Sequence, residues 1–365
     1  MNRGPVAEID LSALQHNLRI IGKVTGHRPL IAVVKADAYG HGSAEISRKL
    51  LAEGVSRLAV AYTGEAKTLR EAGINSQLLV LFDDTDIADY FRYNLTPVVH
   101  DIRMAREFSK EAAKRGVSIP VHLKVDTGMG RLGFGHETAV HDCLEVAAMA
   151  GLKIEGLMSH FSEADLSDRS YALEQIRLFD RIRDGLSEKL KQPFLSHMAN
   201  SAAVLSLQAA LFDAVRPGLI LYGCSPFKDD RGLKPLMRIK TRVLAVRNLP
   251  AGSPVSYGRT FITKRKSAIA VIPAGYADGY SRFFSNNAEM LVKGRRAPVA
   301  GRVCMDLTML DVTGIDGVSE GDEVVILGGQ GDGVITAAEL SSRVNTIPYD
   351  ILTSMGSRAG KEYLR

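Results

Sequence analysis

Polar side chains that could transfer protons or bind anions lie at or just after the ends of several short apolar runs in this 365-residue chain. An amine, an imidazole, a guanidinium and hydroxyl groups in one place could bind an anionic small molecule and transfer protons. Lys35 is the sharpest candidate, because an ammonium at the edge of an apolar core has a lowered pKa and becomes a nucleophile toward an aldehyde. The alternative for Lys35 is a strand-end lysine paired with Asp37. The other candidates are Asp126, His160, Asn200, Ser201 and Arg216.

The run 120–126 alternates polar and apolar side chains, with His122, Lys124 and Asp126 on one face. The apolar face should meet surrounding helices, so the polar face should point into a barrel. A buried Lys124 must then be neutral, paired or chemically modified. The glycine-rich loop after Asp126 should bring Arg131 to the same mouth, where it would suit a carboxylate or a phenolic oxygen. A surface arginine is the alternative for Arg131.

The elements that must position these residues alternate between short apolar runs and amphipathic stretches. Eight such runs predict strands at 30–35, 57–61, 77–82, 96–100, 120–126, 154–160, 194–198 and 213–216. Helical patterns are predicted at 11–24, 41–53, 64–72, 101–115, 137–150, 170–190 and 202–210. Strands alternating with helices predict a parallel sheet, and eight units suit a (β/α)8 barrel of the TIM type over residues 1–234. A doubly wound sheet is the second choice, since no GxGxxG turn follows the first strand.

The barrel prediction has a consequence for the last two strands, where such barrels commonly bind phosphate. Asn200 and Ser201 follow the seventh strand, and Gly218 and Leu219 follow the eighth. Ser201 could equally be the N-cap of the next helix.

The alternation of short apolar runs with helical stretches ends at about residue 235. Short β-rich runs are divided by Gly, Pro and Asp, and turn signals recur throughout. This pattern predicts an all-β domain over residues 235–365.

Composition and charge exclude several classes of protein. The chain has 46 Lys and Arg against 41 Asp and Glu, a net charge of +5 that is spread along the sequence. This distribution favours a small-molecule ligand over nucleic acid. Three scattered cysteines and the lack of HxH or HExxH patterns predict no metal site and a reduced, cytoplasmic protein. No signal peptide is visible, and no apolar run approaches the roughly 18–20 residues of a membrane span.

Nine segments in order resemble the alanine racemases, which are fold-type III enzymes dependent on pyridoxal 5'-phosphate. The resemblance covers nearly the whole chain. The segments are VVKADAYGHG (33–42), LKVDTGMGRLGF (123–134), SHFSEAD (159–165), HMANSAA (197–203), VRPGLILYG (215–223), PVSYGRTF (254–261), AGYADGY (274–280), GRVCMDLT (301–308) and TIPYDILT (346–353).

The resemblance implies a role for each candidate around this cofactor. Lys35 would be joined covalently to the cofactor aldehyde, and Arg216 would face the pyridine nitrogen with His160 behind it. Arg131 would contact the phenolic oxygen and the substrate carboxylate, and Lys124 would be carbamylated to orient Arg131. The residues implied to hold the phosphate or line its site are Tyr39, Asn200, Ser201, Gly218, Leu219 and Tyr349.

The resemblance also implies a homodimer with shared active sites. Tyr257 of the partner subunit would be the second base, opposite Lys35, and the partner's Met305 amide would bind the substrate carboxylate. Tyr276 would narrow the entrance, with Asp306 in a supporting place. The implied reaction is the interconversion of L-alanine and D-alanine, which supplies D-alanine for peptidoglycan.

Other interpretations remain open at this point. A serine racemase or one of broader specificity has the same motifs, and one methyl group in a pocket is worth only about 1–3 kcal/mol of discrimination. A decarboxylase of the same fold is disfavoured by Arg216 and by the Tyr257 motif. A non-catalytic pyridoxal-phosphate homeostasis protein would be a lone barrel. A metal-dependent barrel hydrolase would need clustered histidines.

Overall fold

A computed structural model describes residues 4–364 and contains a parallel barrel followed by a strand-rich region. The predicted barrel with a C-terminal domain rich in strands is therefore confirmed. The chain begins with β1 (Val6–Asp10) and α1 (Leu11–Thr25), and Asp10 caps α1 by accepting from the amides of Ser12 and Ala13. None of the helices within residues 4–364 is both long enough and apolar enough to cross a membrane.

Seven strands of the barrel pair side by side in parallel, in chain order. They are β2 (Ile31–Val33), β3 (Arg57–Val60), β4 (Gln77–Val80), β5 (Thr96–Val99), β6 (Ile119–Asp126), β8 (Leu152–Met158) and β9 (Leu195–His197). The two-residue β7 (Phe134–Gly135) pairs with the end of β6. Most of their side chains are buried, as expected for parallel strands covered by helices.

The expected eighth strand at 213–216 is not a regular strand. Single parallel bridges join Ala214 to His197 and Val215 to Leu30, so this segment closes the barrel between β9 and β2. The amide of Val33 donates to the carbonyl oxygen of Pro217. Pro217 has no backbone N–H, so it cannot donate a hydrogen bond to β2. This proline explains why the ladder stops.

Helices cover the outside of the barrel. After α1 they are α2 (Lys35–Tyr39), α3 (Ser43–Ala52), α4 (Thr63–Glu71), α5 (Ile87–Arg92), α6 (Ile102–Arg115), α7 (Ala139–Ala147), α8 (Ser170–Leu190) and α9 (Ser201–Ser206). The sequence analysis did not predict α5, which has only six residues and no capping side chain. It also placed Lys35 at the end of a strand, whereas β2 ends at Val33 and Lys35 begins a tight turn.

The C-terminal strands pair antiparallel to one another, except β20, which pairs in parallel with β1. They are β10 (Met237–Arg242), β11 (Ala245–Leu249), β12 (Pro254–Val255), β13 (Phe261–Ile262), β14 (Ser267–Ile272), β15 (Glu289–Val292), β16 (Arg295–Pro298), β17 (Thr308–Asp311), β18 (Glu323–Gln330), β19 (Gly333–Ile335) and β20 (Gly360–Leu364). Although residues 1–234 were assigned to the barrel, β1 lies in this second region, between β10 and β20.

Two helices that the all-β prediction did not include lie among these strands, α10 (Ala337–Arg343) and α11 (Pro348–Arg358). Their start signals are present in the sequence. Thr336 caps α10 by accepting from the amide of Glu339, and Pro348 opens α11. The packing of α11 against α2 is close, because a Cβ at Gly40 would lie 2.5 Å from the carbonyl oxygen of Leu352.

Candidate active site

A cavity of about 410 Å³ opens at the carboxyl ends of the barrel strands. Its lining includes ten of the residues that the sequence analysis selected: Lys35, Tyr39, Lys124, Arg131, His160, Asn200, Ser201, Arg216, Gly218 and Tyr349. Leu219 is fully buried beside Gly218 but does not line the cavity. Barrel strands that run in one direction bring their following residues to one mouth, which is why this set converges.

The amine of Lys35 lies in a largely desolvated position. Burial and the nearby Arg131 lower its pKa, and Glu65 opposes this effect. Its Nζ is 5.5 Å from the centre of the Phe82 ring. The alternative pairing of Lys35 with Asp37 is wrong, because Asp37 pairs with Lys361, with 3.0 Å between Oδ2 and Nζ.

Lys35 is followed by a left-handed helical turn. Four consecutive non-glycine residues, Ala36 to Tyr39, have φ angles between 51° and 54°. Such a conformation costs an L-residue roughly 1–2 kcal/mol. Contacts from outside hold the turn: the amide of Ala36 donates to Glu65 Oε1 over 2.5 Å, and the carboxylate of Asp37 accepts from the amide of Ser43 over 2.7 Å.

The left-handed turn directs Tyr39 into the cavity. Its ring centre is 4.8 Å from that of Tyr222 and 5.7 Å from that of Tyr349. Burial raises the pKa of both Tyr39 and Tyr349, the latter to about 12, so both phenols are neutral donors at neutral pH. Any side chain at Gly218 would collide with the Tyr39 hydroxyl. The glycine therefore allows the Tyr39 hydroxyl to lie against the backbone at residue 218.

Ser201 and Asn200 share the start of α9. Asn200 is the N-cap, because its Oδ1 accepts from the amide of Ala203 over 3.0 Å, so the alternative that Ser201 caps this helix is wrong. Ser201 Oγ instead accepts from the amides of Gly218 at 3.0 Å and Ile220 at 3.4 Å. These two bonds do not use the hydroxyl hydrogen of Ser201, which is left to donate.

Arg216 is a buried cation, only 4% exposed, that is surrounded by neutral acceptors. Nη1 donates to the carbonyl oxygen and to Nδ1 of His197, both at 2.7 Å. Nη2 donates to the carbonyl oxygen of Ser159 at 2.6 Å and to His160 Nδ1 at 3.2 Å. Burial lowers the pKa of Arg216 to about 9, so the group is still charged at neutral pH.

Lys124 points inward from β6, as the alternation predicted, and is 1% exposed. Its Nζ has no hydrogen-bond partner among the described residues. Burial, Arg216 and Arg131 lower the pKa of Lys124 to about 8, with Asp126 acting against them. A buried amine without a partner is costly, so this position favours the neutral form or a chemically modified one.

Arg131 reaches the cavity from the glycine-rich loop after β6. Its guanidinium carbon is 5.4 Å from the centre of the Phe82 ring. Asp126 does not line the cavity: its carboxylate accepts from the amides of Gly128 at 2.9 Å and Met129 at 2.8 Å and shapes this loop.

Four other candidates from the C-terminal region lie on the surface of the chain, unlike Tyr349. Tyr257 is 69% exposed and Met305 is 53% exposed. Tyr276 and Asp306 are exposed as well, and Asp306 contacts Arg358. None of the four lines the cavity of the same chain.

The sequence analysis missed the apolar part of the cavity. Phe82 contacts the cations of both Lys35 and Arg131, and Ile347 lines the mouth from the loop before α11. Phe82 follows β4 as Lys35 follows β2, so its place near the carboxyl end of a predicted strand was a signal that could have located it. It was left out because only polar side chains were selected as candidates. Within residues 4–364 no group of three or more acidic, histidine or cysteine residues could hold a metal ion.

A parallel barrel with a desolvated lysine among polar side chains at its mouth, followed by a strand-rich domain, is the arrangement of a barrel enzyme. Family models for the N-terminal and C-terminal domains of alanine racemase match residues 9–226 and 236–363. The chain therefore belongs to the alanine racemase family, and it is an isomerase.

Individual relatives and solved structures agree with this family. The alanine racemase of Thermodesulfovibrio yellowstonii is 48% identical over 371 residues, covering 100% of this chain and 99% of the relative. The crystal structure of alanine racemase from Streptomyces lavendulae has a TM-score of 0.94 at 32% identity and covers 100% and 98% of the two chains. That from Bartonella henselae, which has covalently bound pyridoxal phosphate, has a TM-score of 0.89 at 28% identity and covers both chains fully.

Proposed function

We propose that this chain binds pyridoxal 5'-phosphate in the barrel cavity through Lys35 and interconverts L-alanine and D-alanine. The observation that carries the proposal is the desolvated amine of Lys35 in a cavity that also holds hydroxyl donors and Arg216. The donor set fits the cofactor: a lysine for the aldehyde, hydroxyl groups for the phosphate and a guanidinium for the ring nitrogen. When bound, the cofactor withdraws electrons from the amino acid and acidifies its Cα hydrogen.

The phosphate would lie in the part of the cavity that Tyr39, Ser201 and Gly218 line. The hydroxyl groups of Tyr39, Ser201 and Tyr349 would donate to it, with the amides of Gly218 and Leu219 beside them. Tyr39 and Tyr349 remain protonated because burial raises the pKa of each phenol. Asn200 would support this site through the start of α9.

Inversion at Cα needs a base on each face of the substrate. Lys35 would be the first: its lowered pKa increases the neutral fraction of its amine, so that Nζ can accept the Cα proton of one enantiomer. In the opposite direction of the reaction, the protonated Nζ would donate a proton to Cα on that same face. Tyr257 of the partner subunit would act through its hydroxyl oxygen on the opposite face. The exposed position of Tyr257, outside the cavity of its own chain, is what favours delivery to a second subunit.

Substrate orientation would depend on Arg131 and on the partner's Met305 amide, both directed at the carboxylate. Lys124 would be carbamylated: its neutral amine attacks carbon dioxide, forms an N–C bond and releases a proton. The resulting anion would pair with the guanidinium of Arg131. The buried and unpartnered Nζ, with its pKa lowered to about 8, supports this modification. Tyr276 of the partner would narrow the entrance, with Asp306 beside it.

The wider setting follows from this reaction. The active form would be a homodimer in which each strand-rich region, residues 235–365 together with β1, completes the site of the other barrel. The enzyme would work in the cytoplasm and supply D-alanine for peptidoglycan. The reduced cysteines are consistent with that compartment, since all three are free.

The test is to trap the cofactor on its lysine. The purified protein is incubated with pyridoxal phosphate, reduced with borohydride and digested, and the labelled peptide is identified by mass spectrometry. We expect the label on Lys35, its loss in Lys35→Ala, and unchanged labelling in the exposed control Lys153→Ala. Labelling of a different lysine, or a protein that racemises serine faster than alanine, would contradict the proposal.

A further inference from the structure

A column of three buried side chains leads from the cavity into the interior of the barrel. Arg216 lines the cavity, His197 lies behind it at the end of β9, and His122 lies behind His197 on β6. Arg216 Nη1 is 2.7 Å from His197 Nδ1, and His197 Nε2 is 2.7 Å from His122 Nδ1. Both imidazoles are fully buried.

The positions of the hydrogens in this column follow from the arginine. A guanidinium has only donors, so His197 Nδ1 must accept from it. Burial, the charge of Arg216 and the neighbouring His122 keep the pKa of His197 well below its usual value, so its ring is neutral. A neutral ring carries one hydrogen, which is then on Nε2 and is donated to His122 Nδ1. Burial and the charges of Arg57 and Arg216 lower the pKa of His122, so its ring is neutral as well. Its own hydrogen is then on Nε2, which has no hydrogen-bond partner among the described residues.

The backbone provides room for His122 at this point. The register of β6 against β8 shifts between Val121 and His122, so that one extra residue on β8 brings Gly156 opposite His122. A Cβ at Gly156 would collide with Nδ1 of His122, the atom that faces His197. The shift and the glycine together allow the two rings to meet.

We propose that His122 is a positioning residue for the active site: by accepting the Nε2 hydrogen of His197, it holds the His197 ring with its Nδ1 lone pair toward Arg216. The proposal goes beyond the assignments made above, and it rests on the proposed role of Arg216 toward the cofactor ring. His122 itself does not line the cavity, because His197 and Arg216 lie between its ring and the cavity. Without an acceptor at 122, the buried Nε2 hydrogen of His197 would have no partner on that side, which favours another orientation of the ring.

The direct test is nuclear magnetic resonance of the unaltered full chain labelled with ¹⁵N-histidine. We expect both His197 and His122 to be neutral with hydrogen on Nε2, and a scalar coupling across the hydrogen bond between His197 Nε2 and His122 Nδ1. A hydrogen on Nδ1 of either ring, or a charged ring, overturns the proposal. The measurement needs neither cofactor nor turnover, so a failure of the racemase assignment leaves it intact.

Three variants separate positioning from simple packing. His122→Asn places an amide oxygen near the former Nδ1, His122→Phe fills the site without an acceptor, and Gly156→Ala displaces the ring. We expect His122→Phe and Gly156→Ala to shift the His197 nitrogen signals and to lower kcat about tenfold with KM nearly unchanged. His122→Asn should recover most of kcat and the native His197 signals. Equal losses in His122→Asn and His122→Phe, with native His197 signals in both, would show that His122 is only a packing residue.

Discussion

At the scale of single residues, the cavity concentrates positive charge and neutral imidazoles without a carboxylate next to Arg216. Arg216 is held by carbonyl oxygens and by the Nδ1 atoms of His197 and His160. Its charge is therefore not neutralised within the described chain and acts on whatever ligand enters. If the cofactor is bound as proposed, Arg216 would disfavour protonation of its pyridine nitrogen, and the ring would then accept electrons less strongly, which favours racemisation over transamination.

Neutral buried histidines make the protein sensitive to acid. Burial lowers the pKa of His41 to about 4 and of His122 to about 3, and it also lowers those of His160 and His197. The unfolded chain binds protons at these residues below about pH 6.5 while the folded chain does not, so stability falls as pH falls from about 6.5 toward 4. The slope approaches about 1.4 kcal/mol per pH unit for each such histidine.

Urea unfolding at pH 7, 6 and 5 measures this slope. We expect His41→Asn to reduce the slope by the equivalent of one proton, whatever its effect on absolute stability. The control His136→Gln removes a histidine that is exposed in the folded chain and should leave the slope unchanged. A free energy of unfolding that is constant between pH 7 and 5 would contradict the burial of neutral rings.

At the scale of elements, the left-handed turn of α2 sets the direction of both Lys35 and Tyr39. The turn is strained locally and is held by contacts from α3, α4 and β20, through Ser43, Glu65 and Lys361. Close packing against α11 adds to this, since Gly40 and Gly356 leave no room for side chains between the two elements. Tyr349 lies on α11, so this contact couples the lysine turn to a proposed phosphate donor.

Because the turn is strained, replacing alanine by glycine should change the free energy of unfolding in opposite directions at Ala36 and at Ala113. Ala36 is exposed and has a φ of 51°, so Ala36→Gly should raise the free energy of unfolding by about 1 kcal/mol. Ala36→Val should lower it by more than this amount, because a β-branched side chain fits a left-handed conformation poorly. The control Ala113→Gly, in the right-handed helix α6, should lower it by about 1 kcal/mol. Chemical denaturation of the three variants measures these changes; a loss of stability in Ala36→Gly would contradict a left-handed turn.

Across the molecule, barrel residues line the cavity together with Ile347 and Tyr349 of the C-terminal region, whereas the remaining candidate groups lie on the surface of that region. Tyr257 and Met305 are exposed, and the mouth of the cavity carries the exposed Ile347. Exposed apolar side chains beside a cavity mouth are typical of a surface that a partner covers. A second copy of the chain would bury them and bring Tyr257 to the opposite cavity.

Complementation between inactive subunits tests this sharing. Lys35→Ala and Tyr257→Phe should each be inactive alone. After unfolding and refolding together, a mixed dimer has one site with both native groups, and random pairing gives roughly a quarter of the native sites. Racemase activity of the refolded mixture, compared with each variant refolded alone, measures this outcome. No recovery, despite mixed dimers shown by two different affinity tags, would place both bases in one subunit.

Most of the polar side chains that meet in the cavity could be predicted from the residue pattern, although Asp126, selected by the same pattern, does not line it. Lys35, Lys124, His160, Ser201 and Arg216 could be found because short apolar runs mark parallel strands and such strands bring their carboxyl ends to one mouth. That pattern is local and repeats along the chain, so it can be recognised without knowing any contact between distant residues.

The contacts that hold those side chains in place could not be predicted from the residue pattern. The pairing of Asp37 with Lys361, the position of β1 beside β20 and the contact of His122 with His197 join residues far apart in the chain. Local sequence does not predict these contacts. The residues around a lysine or a histidine look the same whether or not a residue of another element contacts it. The left-handed turn after Lys35 is the clearest case, since its residues avoid that conformation on their own and adopt it because the surrounding elements compensate for the strain.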